Sequence, residues 1–104
     1  LLRLGRYLQR RGEVETGKQY WHAGLTVLHT LLQEPYLSRR TDHQGLLLHT
    51  VYHRPRGWDH IPPGASAPHG ESCMWGDYHL LEAALYVERI ARSQPDYTFF
   101  GAFG

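Results

Sequence analysis

The sequence predicts an all-α protein, and three stretches of helical spacing carry that prediction. Apolar side chains recur at intervals of three and four residues within residues 2–11, 16–34 and 75–92. This period places them along one face of a helix, where they can pack against a neighbouring element. Short polar connections and one long stretch rich in proline and glycine make up most of the remaining length.

The first predicted helix covers residues 2–11 and carries Leu4, Tyr7 and Leu8 on one face. Gly12 ends it, because glycine is a poor helix former. A polar connection follows over residues 13–16. Since Leu1 and Leu2 already fit the helical spacing, we expect the helix to begin upstream of the first residue.

The second predicted helix begins at Thr16 and ends near Glu34. Thr16 followed by Gln19 is a capping-box pattern, in which each side chain satisfies a free backbone N–H at the helix start. Pro35 disfavours the α conformation of the residue before it, which predicts the end. The apolar face consists of Tyr20, Ala23, Gly24, Val27, Leu28, Leu31 and Leu32.

A short strand-like segment is predicted over residues 46–53, because apolar, β-branched and aromatic residues dominate this stretch. In an extended conformation, His49 and His53 share a face. Residues 54–70 hold four prolines and three glycines and predict a long loop. Loops of this length inside compact domains are often functional.

The third predicted helix runs from about residue 75 to residue 92, with Leu81, Ala84, Leu85 and Glu88 on successive turns. Glu88 and Arg92 are spaced to pair across one turn. We expect the aromatic tail, residues 94–104, either to pack against a neighbour or to fray.

Composition excludes several classes of function. A net charge of +1 provides no electrostatic footprint for nucleic acid, and no apolar run is long enough for a membrane span. Cys73 is the single cysteine, so there is no intramolecular disulfide framework, which favours a cytoplasmic location. Aromatic residues make up 12% of the 104 residues, more than three helices can enclose. The chain is therefore expected to be a piece of a larger protein.

Three strings of the sequence resemble the C-terminal end of unsaturated glucuronyl hydrolases, glycoside hydrolase family 88. They are the run from Gly45 to His53, the string Trp75-Gly76-Asp77-Tyr78, and the Leu-Leu-Glu-Ala-Ala-Leu string of residues 80–85. The helix that ends in residues 31–38 is similar to the one before this region in the family. The resemblance covers most of residues 1–92.

The resemblance implies an (α/α)6 barrel of paired helices, of which residues 1–104 are a single incomplete segment. Such enzymes remove 4,5-unsaturated glucuronic acid from lyase-generated oligosaccharides by hydrating its vinyl ether. The catalytic acids lie earlier in the family's sequence, so no catalytic residue is assigned here, neither Asp42, Asp59 nor Asp77. The rest of the barrel upstream is the implied partner, no cofactor or metal is implied, and the segment is expected to be inactive alone.

We predict that the segment forms one wall of the uronate pocket. Aromatic rings stack on sugar rings, and hydroxyl, imidazole and guanidinium groups bind anions. Arg54 and Arg56 in the loop are suitable as further anion partners, and the alternative is that the whole loop is only solvated. The predicted substrate-binding residues are His53, Ser72, Trp75, Asp77 and Tyr78.

Structural roles compete with these assignments. Asp77 alternatively caps the helix or binds unpaired backbone amides, and Trp75 and Tyr78 alternatively pack in a core. A metal site at His49 and His53 would require a third ligand. Cys73 is interpreted as a structural thiol. Two rival functions also remain: a related barrel protein for another sugar or without activity, and a non-enzymatic helical interaction module.

Overall fold

The computed structural model describes residues 1–95 and residue 97, and over these residues the chain is all-α. It has three α-helices, α1 (Leu2–Arg10), α2 (Val14–Leu31) and α3 (Met74–Ala91), with a short 3-10 helix at Arg54–Arg56. The described residues contain no strand, and their one isolated antiparallel bridge joins Leu37 to Leu47. The prediction of an all-α chain is confirmed, and the (α/α)6 barrel stays a prediction.

Helices α1 and α2 form an antiparallel hairpin held at close range by glycines. A Cβ atom on Gly5 would lie 2.6 Å from the backbone nitrogen of Trp21, and one on Gly17 would lie 2.7 Å from the carbonyl oxygen of Gly5. A Cβ atom on Gly24 would lie 2.8 Å from a side-chain carbon of Leu2 and 3.0 Å from its backbone nitrogen. Hydrogen atoms in place of side chains thus allow the two backbones to touch.

The predicted start of the second helix is wrong. Helix α2 begins at Val14, with Glu13 as a cap residue that makes no side-chain capping bond, so Thr16 lies inside the helix. The chain turns through Gly12, whose φ is +91°, and Gly17 N–H already donates to Glu13 O at 2.9 Å. The contact of Gly17 with α1 fixes this early start, which no local capping pattern reveals. The helix ends at Leu31, three residues before the predicted end.

The strand predicted over residues 46–53 does not form. Ser38 N–H donates to Leu46 O at 2.8 Å and Leu48 N–H donates to Tyr36 O at 2.7 Å, but the pairing stops there. His49 has a φ of +62°, in the left-handed region, which ends the alternation of an extended chain. As a result, His49 and His53 do not share a face.

Helix α3 lies within one residue of its predicted bounds. Cys73 caps it, with its sulfur accepting from Gly76 N–H at 3.4 Å. The predicted pair of Glu88 and Arg92 is confirmed, with a distance of 2.7 Å between Oε1 and the guanidinium nitrogen.

The core between the hairpin and α3 is small. Leu28, Leu80 and Tyr86 are the buried large side chains of the described residues, and the Tyr86 ring meets the edge of Trp21 with centroids 6.4 Å apart. The Cα atoms have a radius of gyration of 16.7 Å, whereas a compact domain of this length has about 13 Å. Much apolar surface therefore faces outward.

Several large apolar side chains on the helices are exposed, as the aromatic content predicts. None of the described helices combines the length and hydropathy that crossing a membrane requires. The tail prediction falls mainly on residues 96 and 98–104, outside the described residues. Tyr97 packs under Arg89, whose guanidinium carbon lies 4.1 Å from the ring centroid. The most exposed apolar residues on the helices include Tyr7, Val27, Met74, Trp75, Tyr78, Leu81 and Leu85.

Candidate functional site

Two aspartates hold the irregular segment 46–53 in place. Asp77, in the first turn of α3, accepts from Leu46 N–H at 2.9 Å and from Leu47 N–H at 2.8 Å, one with each carboxylate oxygen. Asp59 binds the other end, accepting from the backbone N–H groups of Tyr52 and His53. The segment therefore has a defined shape without belonging to a sheet.

Asp77 acts through these backbone amides in the described structure. It does not cap α3, because Cys73 occupies that position. Its half-buried carboxylate faces the 46–47 backbone and does not line the polar cleft described below. Of the roles considered for Asp77, the structure therefore shows the hydrogen bonds to backbone amides that have no other partner.

Three aromatic rings stack beside the segment. Trp75 at the start of α3 lies nearly parallel to Tyr52, with centroids 4.8 Å apart and an interplanar angle of 14°. Tyr52 also stacks on Trp58, with ring centroids 5.8 Å apart and an interplanar angle of 27°. The His53 ring leans on Trp58 with centroids 5.0 Å apart. We call Tyr52, Trp58 and Trp75 the aromatic stack.

A polar cleft of about 350 Å³ opens beside the aromatic stack. Ser72 lies on its wall, packed so closely over Gly45 that no Cβ atom fits there. Within the described residues, the Ser72 hydroxyl makes no hydrogen bond, and its oxygen is the atom that packs against Gly45. The cleft is lined by Thr50, Tyr52, Trp58, Asp59, His60, His69, Glu71, Ser72, Cys73 and Trp75.

The wall that carries Ser72 is tied to the segment by Thr50 and His43. Thr50 donates to the Glu71 carbonyl from its N–H at 3.1 Å and from its hydroxyl at 3.2 Å. The Glu71 carboxylate lies 3.2 Å from His43 Nε2. These contacts fix Glu71, the residue that precedes Ser72.

The histidines of this region do not form a metal centre. His49 Nδ1 accepts from Gly70 N–H at 3.0 Å, and its ring lies 6.3 Å from that of His69, whereas His53 turns toward Trp58. In residues 1–95 and 97, no group of three histidine, cysteine or acidic side chains is arranged to hold a metal ion. The Nδ1 atom of His53 is buried and has no hydrogen-bond partner among the described residues.

Asp42 lies outside the cleft and is paired with Arg40. The guanidinium donates to the carboxylate at 3.0 and 2.6 Å. This hydrogen bond, more than any other contact, lowers the pKa of Asp42 to about 2. The group therefore stays ionised at neutral pH and is unsuited to donate a proton.

The predicted binding residues separate into three places. His53, Ser72 and Trp75 gather around the stack and the cleft, and Asp77 anchors the backbone behind them. Tyr78 lies on another side of α3, in a separate cleft with Arg3 and Arg89. Sequence reasoning missed Tyr52 as a site member, although it lies within the string from Gly45 to His53.

Flat aromatic faces beside a polar cleft suit a ligand with one apolar face and many hydroxyl groups. Comparison with models of protein families, with characterised proteins and with solved structures finds no match to this chain. Any assignment of function therefore depends on the site and on the sequence resemblance.

Proposed function

We propose that this chain is the closing segment of an unsaturated glucuronyl hydrolase-like glycosidase and forms one wall of its sugar pocket. The observation that carries the proposal is the aromatic stack beside the cleft. A pyranose ring places its C–H face on aromatic rings while its hydroxyl groups bind polar side chains. Trp75, exposed over about half of its surface, and the Ser72 hydroxyl on the wall of the cleft supply the two kinds of contact.

The helices support membership in a larger barrel. An (α/α)6 barrel is built from antiparallel helical hairpins, and α1 and α2 form such a hairpin. The exposed Tyr7, Val27, Leu81 and Leu85 would be covered by neighbouring helices of the barrel. Apolar surface of this extent favours a neighbour, because burying it removes it from water.

The reaction proposed for the whole protein is hydration of the vinyl ether in the unsaturated uronate. An aspartate upstream of this segment protonates the ring alkene and then activates water, and the resulting hemiketal opens. The aspartates described here are engaged elsewhere: Asp59 and Asp77 with backbone amides, and Asp42 with Arg40. This segment binds and positions the sugar, with His53 and Ser72 as partners for the carboxylate.

Replacing Trp75 tests the proposed wall. In the longer protein, Trp75→Ala is expected to raise KM for an unsaturated glucuronyl disaccharide about fivefold, because a stacking contact contributes roughly 1 kcal/mol. Loss of the alkene's ultraviolet absorbance measures the rate. Trp75→Phe retains a flat ring and should keep KM close to the parent value. An unchanged KM in the folded Trp75→Ala protein would remove Trp75 from the pocket.

The exposed apolar faces also favour a second candidate, a helical interaction module without enzymatic activity. Light scattering and thermal unfolding of the 104-residue chain distinguish the two. A barrel segment should self-associate through its open faces, whereas an independent module should be monodisperse and unfold cooperatively.

A further inference from the structure

His43 lies at the centre of the contacts that support Ser72. Its ring is mostly buried, with 17% of the side chain exposed, and the two ring nitrogens face different partners. Nδ1 accepts from Gly45 N–H at 3.1 Å, and Nε2 lies 3.2 Å from a carboxylate oxygen of Glu71. One imidazole therefore connects the stretch before residue 46 to the residue before Ser72.

These two contacts determine which form of the imidazole the structure holds. A ring nitrogen that accepts from a backbone N–H carries no proton, so Nδ1 of His43 is unprotonated. Nε2 then carries the proton of the neutral ring and donates it to the Glu71 carboxylate. We assign this tautomer from its hydrogen-bond partners.

The position of Ser72 depends on both partners of His43. The Ser72 hydroxyl oxygen packs against Gly45 so closely that a Cβ atom on the glycine would collide with it. Glu71, directly before Ser72, is also held by Thr50, which donates to its carbonyl oxygen. A movement of Gly45 or Glu71 therefore shifts the cleft wall that carries Ser72.

Among the described residues, the charged groups near His43 are Glu71, Asp42 and Arg40. Asp42 is held by Arg40, so Glu71 is the carboxylate that faces Nε2. Protonation of the ring would place its second proton on Nδ1, where it meets the N–H of Gly45. That proton fits only toward the Gly45 carbonyl oxygen, 3.3 Å away, so the Gly45 N–H loses its acceptor.

We propose that His43 is a positioning residue for Ser72, and that it holds the cleft wall only as the neutral imidazole with its proton on Nε2. Acid releases Gly45 from Nδ1, the wall shifts, and the sugar binds more weakly. Histidine is the side chain whose charge normally changes between about pH 5 and 8. The consequence for the sugar rests on the proposed function, which places the sugar in the cleft, whereas the position of the wall does not.

The first test is nuclear magnetic resonance of the longer protein without ligand, with labelled histidine rings and backbone amides. At about pH 8, we expect His43 to carry its proton on Nε2, and at about pH 5 to carry protons on both nitrogens. The amide signals of Gly45 and Ser72 should move together with this titration. A proton on Nδ1 at about pH 8, or amide signals that do not follow His43, would overturn the proposal.

Two substitutions that do not titrate separate the contacts of the ring. His43→Asn places an oxygen where Nδ1 accepts from Gly45 N–H, as asparagine does toward the second residue after it in turns, and gives up the contact with Glu71. His43→Gln reaches toward Glu71 with its amide and leaves Gly45 N–H without an acceptor. His22→Gln, which replaces an exposed histidine of α2, is the control.

Calorimetric titration with an unsaturated glucuronyl disaccharide compares these variants with the parent protein. At about pH 8, Kd of His43→Gln should be about fivefold higher than that of the parent, because one hydrogen bond is lost, and Kd of His43→Asn should be close to it. At about pH 5, the parent loses the same bond, so the ratio between His43→Gln and the parent should fall to about one. His53, His60 and His69 titrate in every variant, so this ratio isolates His43.

The outcomes separate this inference from the proposed function. If the folded longer protein binds no disaccharide, the proposed function fails, and the magnetic resonance of His43, Gly45 and Ser72 decides the inference alone. If the disaccharide binds, equal Kd values of His43→Gln and the parent at about pH 8 would overturn it. A ratio that stays the same at both pH values, or a ratio that His22→Gln reproduces, would overturn it as well.

Discussion

Gly5→Ala is expected to lower the free energy of unfolding by about 2 kcal/mol, because the added methyl group has no space in the helical hairpin. Its Cβ atom would lie 2.6 Å from Trp21 N and 2.8 Å from Gly17 O. Both are backbone atoms, so no side-chain rotation relieves the contact and α1 must move away from α2. At an open helical position, the same substitution would stabilise the protein by roughly 0.5–1 kcal/mol.

Urea unfolding followed by circular dichroism measures this effect. Gln19→Ala, on the exposed surface of α2, is the control and should change the midpoint little. A higher midpoint for Gly5→Ala would show that the two helices do not approach as closely as the structure has them.

Asp77→Ala is expected to lower the free energy of unfolding by about 3 kcal/mol, the second large effect. The substitution removes two hydrogen bonds from backbone amides to a carboxylate. The amides of Leu46 and Leu47 would lose their acceptors at the point where the irregular segment begins. Asp77→Asn keeps one oxygen acceptor and should fall between the parent and the alanine variant.

Hydrogen exchange at the two amides reports the Asp77 contact directly. Exchange of Leu46 and Leu47 N–H should accelerate at least about tenfold in Asp77→Ala, as a bond worth more than 1.4 kcal/mol is lost. Asp42→Ala is the matched control, because that exposed carboxylate binds Arg40 and not the segment. Unchanged protection of both amides in Asp77→Ala would contradict the hydrogen bonds from Leu46 and Leu47 to Asp77.

The helices were predictable because their cause is local and periodic. Helix α3 begins one residue from its predicted start, where the apolar spacing begins after Cys73. The start of α2 was not predictable in this way, since it depends on the contact of Gly17 with α1. A capping pattern at Thr16 cannot report a contact made by a helix that precedes it.

The irregular segment was mispredicted for a related reason. Its β-forming composition favours a strand, but within residues 1–95 and 97 no partner strand lies beside it beyond the bridge at Leu47. Instead, its backbone N–H groups donate to the carboxylates of Asp77, thirty residues from Leu47, and of Asp59. Strand propensity reflects packing on a sheet, and in this region the amides are bound by side chains.

The candidate site was predictable in part. Ser72 and Trp75 were predicted as binding residues because they lie at a loop-to-helix junction, where a rigid element fixes side chains, and both line the cleft. The stacking of Tyr52 on Trp75 depends on contacts distant in sequence and was missed. Tyr78 was grouped with Trp75, but it lies farther along α3, where the helix faces Arg3 and Arg89.

The most direct test of the proposed hydrolase segment is the ultraviolet absorbance of an unsaturated glucuronyl disaccharide. The full open reading frame containing this segment and the 104-residue chain are assayed side by side. We predict that the absorbance decays with the full frame and not with the 104-residue chain, which places the catalytic acids upstream. An unchanged absorbance with a well-folded full-length protein would contradict the assignment.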